Sequence, residues 1–382
     1  MSIKGTKITV LGAGIAGLAA ATALSQRGAT VTVLEQAVEL GEVGAGLQIG
    51  PNGVAVLEAL GLFERAAALA NVPEVISLRD IKTGREVANL PMGENAVQRW
   101  GHPYWQFHRA DLLGLLADAA RAAGADIRLG QRVENATDLE GLVIAADGVR
   151  SATRTQVFGG VPAKFTKQSA WRGVIAADKL PYEIVNAATI YMGPGRHLVT
   201  YPLRGGSMVN FVAVTEQAEW ADEGWSIPDN PANLRAAFAM ATPEVRTLLG
   251  AVDETFRWGF FNHPPLPLWV RGNVALIGDA CHPMLPYLAQ GAVMALEGAW
   301  VLARELERLG IPEGLAEYQR LCKPRATRVQ RAAASNATAY HLRRGPMRSA
   351  AHLGLSAISR LAPSALLGRF DWLYGVDVTR ER

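Results

Sequence analysis

A strand, glycine turn, helix and strand at the amino end, a cluster of short strands in mid-chain and a late return to strand and helix predict an α/β fold. Its form is a Rossmann-type nucleotide-binding domain carrying an inserted mixed β-sheet domain. In "KITVLGAGIAGLAAATALSQRGATVTVLE", two short β-branched runs flank an alanine-rich one. The pattern predicts a strand from Ile8 to Leu11, a helix from about Ala16 to Gln26 and a strand from Thr30 to Leu34. Gly12 suits the tight turn, Gly14 a close approach to a pyrophosphate and Gly17 close packing of helix on strand. Glu35 ends the second strand, where a carboxylate accepts hydrogen bonds from an adenosine ribose. The fingerprint recognises an ADP half, which NAD and FAD share, and leaves both open.

Further on, "FHRADLLGLLADAARAAGADIRLG" predicts a helix from near Ala110, with Asp111 in its first turn, and a strand around Ile127. Arg109 precedes that helix, either reaching phosphates or standing as a solvated cation. "LVIAADGVRSATR" reads as a buried strand ending at Asp147-Gly148, followed by Arg150 and Ser151. From Trp171 to Val214 come the short strands "WRGVIAA", "ATIYMG", "HLVTYPLR" and "MVNFVAV", separated by Gly and Pro turns. A more polar helical stretch, Asn233 to Leu249, precedes the strands "FRWGFFN" and "GNVALIGDA". No internal repeat or low-complexity tract interrupts the chain. The nucleotide-binding domain is expected in three pieces, 1–70, 96–170 and 265–335, with the sheet domain at 71–95 and 171–264 and a helical segment at 336–382.

With 382 residues and 49% hydrophobic content, the chain has enough material for two domains sharing an interface. A net charge of +3 without a basic run gives no electrostatic support for a nucleic-acid partner. Cys281 and Cys322 are the only cysteines and lack paired spacing, which fits a reducing, cytoplasmic setting. The apolar amino end reads as a strand and glycine turn rather than a signal peptide. No apolar run reaches the roughly 20 residues of a membrane span; the nearest, "HLGLSAISRLAPSALLGRF", is broken by Arg360 and Pro363 and reads as core packing, with contact to a membrane surface as the alternative.

"GDACHPMLPYLAQG", Gly278 to Gly291, allows a thiol nucleophile with its base, a metal corner or a cofactor wall. Adjacent side chains diverge, so Cys281 and His282 make a poor dyad without a third, orienting group. The seven scattered histidines show no paired spacing, and no metal site is expected.

Three motifs stand in order: the glycine fingerprint with Glu35, Asp147-Gly148 and Gly278-Asp279. The trio resembles the class A flavoprotein aromatic monooxygenases, whose FAD domain is of glutathione reductase type. "GDACHPMLPYLAQGAVMALE" is most similar to the salicylate hydroxylase and 6-hydroxynicotinate 3-monooxygenase group, and the likeness extends over "HLVTYPLRGG" and the terminal "FDWLYGVDV". The resemblance implies bound FAD, transient NADH or NADPH as reductant, O2 as co-substrate and a flavin hydroperoxide that hydroxylates a small phenolic acid. Asp279 then accepts from the ribityl hydroxyls, while Pro283 and Pro286 hold an extended loop across the ring. Gly291 admits close backbone approach at the start of a helix to about Leu309, whose positive end stabilises reduced flavin. By the same resemblance, Arg109 contacts FAD and Asp147 belongs to the FAD or nicotinamide site.

The resemblance also places Tyr201 and Tyr287 against substrate, and Gln48 where the nicotinate enzyme has histidine, so that enzyme's base does not carry over. His197 lies on the same side of a strand as Tyr201, roughly 13 Å away, and is a further candidate. Glu297-Gly298 departs from the acidic pair common in the family. A salicylate- or hydroxybenzoate-like acid is the favoured substrate; urate, a quinone precursor and a non-catalytic flavin sensor are the alternatives. A halogenase is disfavoured, since Trp171 and Trp258 lack the WxWxIP context. A monomer or homodimer is expected.

Overall fold

The computed structural model describes residues 3–41, 45–220, 227–341 and 345–380. A six-stranded sheet forms the nucleotide-binding part, in the order Val270–Arg271, Val274–Leu276, Leu142–Ala145, Lys7–Leu11, Thr30–Leu34, Asp126–Arg128. All neighbours run parallel except the Val270–Arg271 hairpin. Val143, Ile144 and Ala145 are fully buried, as expected of a parallel sheet covered on both faces. The helix Ile15–Gln26 packs between the helices Arg109–Ala122 and Gly291–Leu309. Its alanines allow that approach: Ala19, Ala20, Ala21 and Ala23 are all fully buried.

The second sheet has eight strands, in the order Ile227–Asp229, Thr255–Asn262, Lys164–Ala176, Met208–Glu216, Arg196–Leu203, Ala187–Gly193, Val75–Asp80, Glu86–Pro91. It is mixed, because Ala187–Gly193 runs parallel to Val75–Asp80 while the other pairs are antiparallel. Alternation divides its faces. Trp171, Ile175, Leu198 and Phe211 pack with Leu234, Phe238 and Leu249 of two covering helices. The opposite face, with Ala170, Tyr201, Leu203 and Val214, turns toward the nucleotide-binding part. Trp258 and Phe260, two residues apart on one strand, join one apolar cluster on that face with Ala170 and Val214, and the register shifts between Gly259 and Phe261.

The stretch Asn233–Leu249 is two helices, Pro231–Ala237 and Pro243–Gly250. Between them Thr242 leaves helical geometry: its N–H donates to the Ile81 carbonyl at 2.9 Å and its side chain caps Val245. The sheet is joined to the first part by Arg204, which holds Asp111 with two bonds of 2.9 and 2.6 Å, and by the Gly46 N–H, which donates to Asn210 Oδ1 at 2.7 Å. The chain ends in the helices Ile311–Tyr340, Pro346–Leu361, Pro363–Gly368 and Asp371–Tyr374, burying Leu366, Leu367 and Leu373. Among the described residues no helix is long and apolar enough to cross a membrane, and no cluster of three or more His, Cys, Asp or Glu side chains suited to a metal is found.

Candidate active site

The three ordered motifs meet at the carboxyl ends of the parallel strands. Gly12 has φ +96°, and a β-carbon there would stand 2.6 Å from the Ala146 carbonyl oxygen, just before Asp147. Gly278 presses on the opening helix, where a β-carbon would come within 2.6 Å of Ala16 Cβ. A β-carbon at Gly17 would lie 1.9 Å from the Gly12 carbonyl oxygen, so helix and turn touch there. Gly14 differs, with no atom within 4 Å of its missing β-carbon and a place at the cap of the Ile15–Gln26 helix. Open space lies where a helix dipole and backbone N–H groups favour phosphate.

Glu35 accepts from the Ala13 N–H at 2.7 Å and the Ala37 N–H at 2.8 Å, which fixes its carboxylate beside the turn. Asp147 accepts from Ser151 Oγ at 2.6 Å and from the Thr153 N–H at 3.1 Å, so its carboxylate also anchors the start of the Ala152–Phe158 helix. Arg109 opens the helix Arg109–Ala122. The Asp279 side chain is exposed between buried Gly278 and Ala280, and partial desolvation by the protein around it raises its carboxyl above the ordinary pKa while the charges of Arg109 and Arg154 pull it back. Arg154 was not singled out from sequence, yet it ties two motifs together. One of its nitrogens donates to the carbonyls of Asp279 and Ala280 at 3.1 and 3.3 Å, and another to that of Val149.

Cys281 and His282 diverge. The thiol, 3.4 Å from the Gly278 carbonyl and hydrogen-bonded with Tyr318, is pushed up in pKa by burial. His282 lies against Trp269, ring centroids 5.3 Å apart, and burial lowers it to about 4. Neither serves as nucleophile or base for the other. The loop after them is less extended than the sequence suggested: Pro286–Leu288 forms one 3-10 turn, and Ala289 follows at φ +53°. The helix Gly291–Leu309 then begins as expected.

At its start, Asn52 Nδ2 donates to Gln290 Oε1 at 3.1 Å and to Glu297 Oε1 at 2.7 Å. Glu297 in turn holds Arg325 by two bonds of 2.6 and 2.8 Å. A β-carbon at Gly298 would meet the Tyr318 hydroxyl at an ordinary 3.8 Å. Gln290 Nε2 and Asn52 Oδ1 remain buried without partners, a donor and an acceptor suited to a ring edge that carries both N–H and carbonyl groups. Together with the glycine cradle and Glu35, these groups fit FAD.

On the sheet face opposite, the other predicted residues fall into two touching pairs. Gln48 lies on the strand Gly46–Ile49 and accepts from the Tyr104 hydroxyl at 2.6 Å; it also hydrogen-bonds Tyr201. That strand rests on Tyr201, since a β-carbon at Gly46 would stand 2.6 Å from Tyr201 Cε2. Four residues back on the same strand, His197 is buried with its ring 5.5 Å from that of Tyr287. The Tyr287 hydroxyl donates to Gln168 Oε1 at 2.6 Å. Burial holds the hydroxyls of Tyr201 and Tyr287 well above the ordinary phenol value and holds the His197 imidazole well below its own. Near neutral pH both tyrosines therefore donate and His197 has a lone pair.

Tyr104, Gln168, Asn210 and His341 were missed from sequence. Asn210 sits opposite Tyr201 in strand register, a relation readable only once the strands are paired.

A family model described as an FAD binding domain matches residues 5–142 and 141–333. The chain is 35% identical over 388 residues to the 3-amino-4-hydroxybenzoate 2-monooxygenase of Streptomyces platensis, covering 97% of this chain and 96% of that one. It is 34% identical over 393 residues to 3-hydroxybenzoate 6-hydroxylase 1 of Aquipseudomonas alcaligenes, covering 98% of each. Among solved structures, a salicylate hydroxylase substrate complex matches with a TM-score of 0.81 at 26% identity, covering 99% of this chain and 97% of that one.

Proposed function

We propose, from the premise that this chain belongs to the FAD-binding domain family of flavin-dependent aromatic monooxygenases, that its substrate is a phenolic acid of the hydroxybenzoate class. The observation that carries the proposal is the pairing of Tyr201 with Gln48 and of His197 with Tyr287 on the sheet face that also carries the apolar Ala170, Leu203 and Val214.

In this reading Gly12, Gly14, Gly17 and Glu35 hold the ADP half of FAD. Arg109, Asp147, Gly278, Asp279, Pro286 and Gly291 line the rest. FAD, reduced by NADH or NADPH, supplies the activation of O2 from which one oxygen atom reaches the ring. The chain's own residues prepare the substrate. His197, kept neutral by burial, accepts the phenol proton, Tyr287, its hydroxyl held by Gln168, packs against the His197 ring, and the protonated Tyr201 hydroxyl donates to the substrate farther along the strand. Gln48, fixed by Tyr104, sets the position of Tyr201. Leu203, Val214, Trp258 and Phe260 exclude water around them.

The test is NADH and NADPH oxidation by the FAD-loaded protein with hydroxybenzoates, aminohydroxybenzoates, hydroxynicotinates and urate, with product masses recorded. A hydroxybenzoate-class acid that stimulates oxidation and gains one oxygen is the expected outcome. Stimulation by urate alone, or by no member of the panel, rules the proposal out.

A further inference from the structure

We infer that His341 and Glu216 complete, with His197, a path that carries the substrate's phenolic proton to solvent; this rests on the hydroxylase reading above. His341 follows the last residue of the helix Ile311–Tyr340, so its ring reaches the sheet face from a different element. Its Nε2 lies 2.7 Å from His197 Nδ1, and its Nδ1 lies 3.4 Å from Glu216 Oε1. Both rings are buried, at 3% exposure for His197 and 4% for His341, whereas the Glu216 side chain is 40% exposed and meets water. The line runs from the interior to the surface through three groups able to carry a proton.

Donor and acceptor rules give the line a direction. His341 Nδ1 faces both the Glu216 carboxylate at 3.4 Å and the Gln168 amide nitrogen at 3.3 Å; the charged acceptor outweighs the neutral donor, so His341 carries its proton on Nδ1 and presents a lone pair at Nε2. That lone pair takes the His197 Nδ1–H, which leaves His197 Nε2 as the basic nitrogen. Nε2 has no protein hydrogen-bond partner among the described residues. The groups that face the two rings are Tyr287 and Tyr340, with ring centroids 5.5 and 5.3 Å from His197, and Gln168 and Glu216 from the sheet. Burial keeps both phenols protonated.

Each proton is accounted for. The phenol O–H bond breaks as His197 Nε2–H forms. His197 Nδ1–H passes to His341 Nε2, and His341 Nδ1–H passes to the Glu216 carboxylate and on to water. The result is one phenolate in the site, one proton in solvent and two neutral imidazoles in the reversed tautomers. A buried imidazolium, costly beside a second histidine, is never left standing.

Gln168 serves the reversed state. It sits opposite Glu216 in strand register, and its Nε2 is 3.3 Å from the His341 Nδ1 that has just lost its proton. Its Oε1 is already held by the Tyr287 hydroxyl, so the amide is oriented to donate. When the hydroxylated product takes its proton back, the line returns to its first tautomers.

The experiment mixes the FAD-loaded protein, without reductant, with 4-hydroxy-3-nitrobenzoate, whose phenolate is yellow, in weakly buffered solution held below the free probe's own phenol pKa and holding a pH indicator. Wild type is expected to ionise the probe and release the proton together. His341→Gln and Glu216→Gln should slow both signals by at least about tenfold, the lower end of what one positioned acid or base contributes being larger still, with probe affinity little changed. Nitrogen NMR of the imidazoles, without probe, should show His197 protonated on Nδ1 in wild type and mixed tautomers in Glu216→Gln.

Both variants ionising the probe at the wild-type rate overturns the path. If His341→Gln does not fold, Glu216→Gln, at a half-exposed strand end, decides alone. A wild type that binds the probe and leaves it un-ionised also overturns the path, while product masses still judge the hydroxylase reading. A wild type that binds neither this probe nor 3-hydroxybenzoate overturns both.

Discussion

Alanine at Gly14 and at Gly17, three residues apart in one turn, separates a ligand requirement from a packing requirement. At Gly17 the new β-carbon would stand 1.9 Å from the Gly12 carbonyl oxygen and 3.3 Å from Val10 Cγ1. Carbon and oxygen rest at about 3.3 Å or more, so the helix Ile15–Gln26 must retreat by more than about 1 Å, against the close packing of an interior. Overpacking of this kind costs about 1–3 kcal/mol. For 382 residues, an unfolding entropy near 2.1 cal/mol/K per residue gives about 0.8 kcal/mol/K, so the melting temperature should fall by about 1–4 °C. At Gly14 no atom lies within 4 Å, and φ −77° with ψ −177° suits alanine. Gly14→Ala should keep the stability of the FAD-free protein or raise it by about 0.4–1 kcal/mol. Its methyl group, however, fills the space that the pyrophosphate needs, and FAD affinity should drop at least about tenfold, or about 1.4 kcal/mol. Circular-dichroism melts of the stripped proteins and fluorescence titration with FAD read the two effects. Wild-type FAD affinity in Gly14→Ala, or an unchanged melt in Gly17→Ala, would refute the division of labour.

Tyr201→Phe keeps the ring under Gly46 but removes the hydroxyl beside Gln48, so stability should change by less than about 1 kcal/mol while hydroxylated product falls at least about tenfold. Product formed at the wild-type rate would remove Tyr201 from the chemistry. Acid should weaken the fold through His282, whose buried imidazole has a pKa of about 4. Its folded pKa is depressed, so its contribution is complete above the unfolded value near 6.5 and is lost as pH falls from there toward 4. Between pH 6.5 and 5 the difference is about 1.6 kcal/mol. Urea unfolding at these two pH values should show His282→Asn losing less stability than wild type by about that amount; equal losses would show that His282 does not titrate in this window.

The amino acid sequence by itself determined the nucleotide-binding end and its ligand class. The strand Thr30–Leu34 stands where its β-branched run placed it. The jobs read for Gly12 and Gly17 are local, since each concerns a turn or a contact within a few residues, and local geometry follows from residue type. The Gly291–Leu309 helix was legible for the same reason, because an apolar run behind a loop containing Pro283 and Pro286 leaves few alternatives.

Tertiary structure decided which side chains meet on the inner face of the second sheet. His197 and His341 are 144 residues apart and Gln48 and Tyr104 are 56 apart, and no spacing rule links either pair. Asn210 meets Gly46 across 164 residues because strand register sets it opposite Tyr201 and places the Gly46–Ile49 strand over both. Arg154 looks like one more helix-start cation until the fold brings the carbonyls of Asp279 and Ala280 to it. Periodicity states which face of a strand is buried, but only pairing and packing state what that face meets. The ligand class was therefore written in local motifs, and the paired polar side chains of the sheet wall came from long-range contacts.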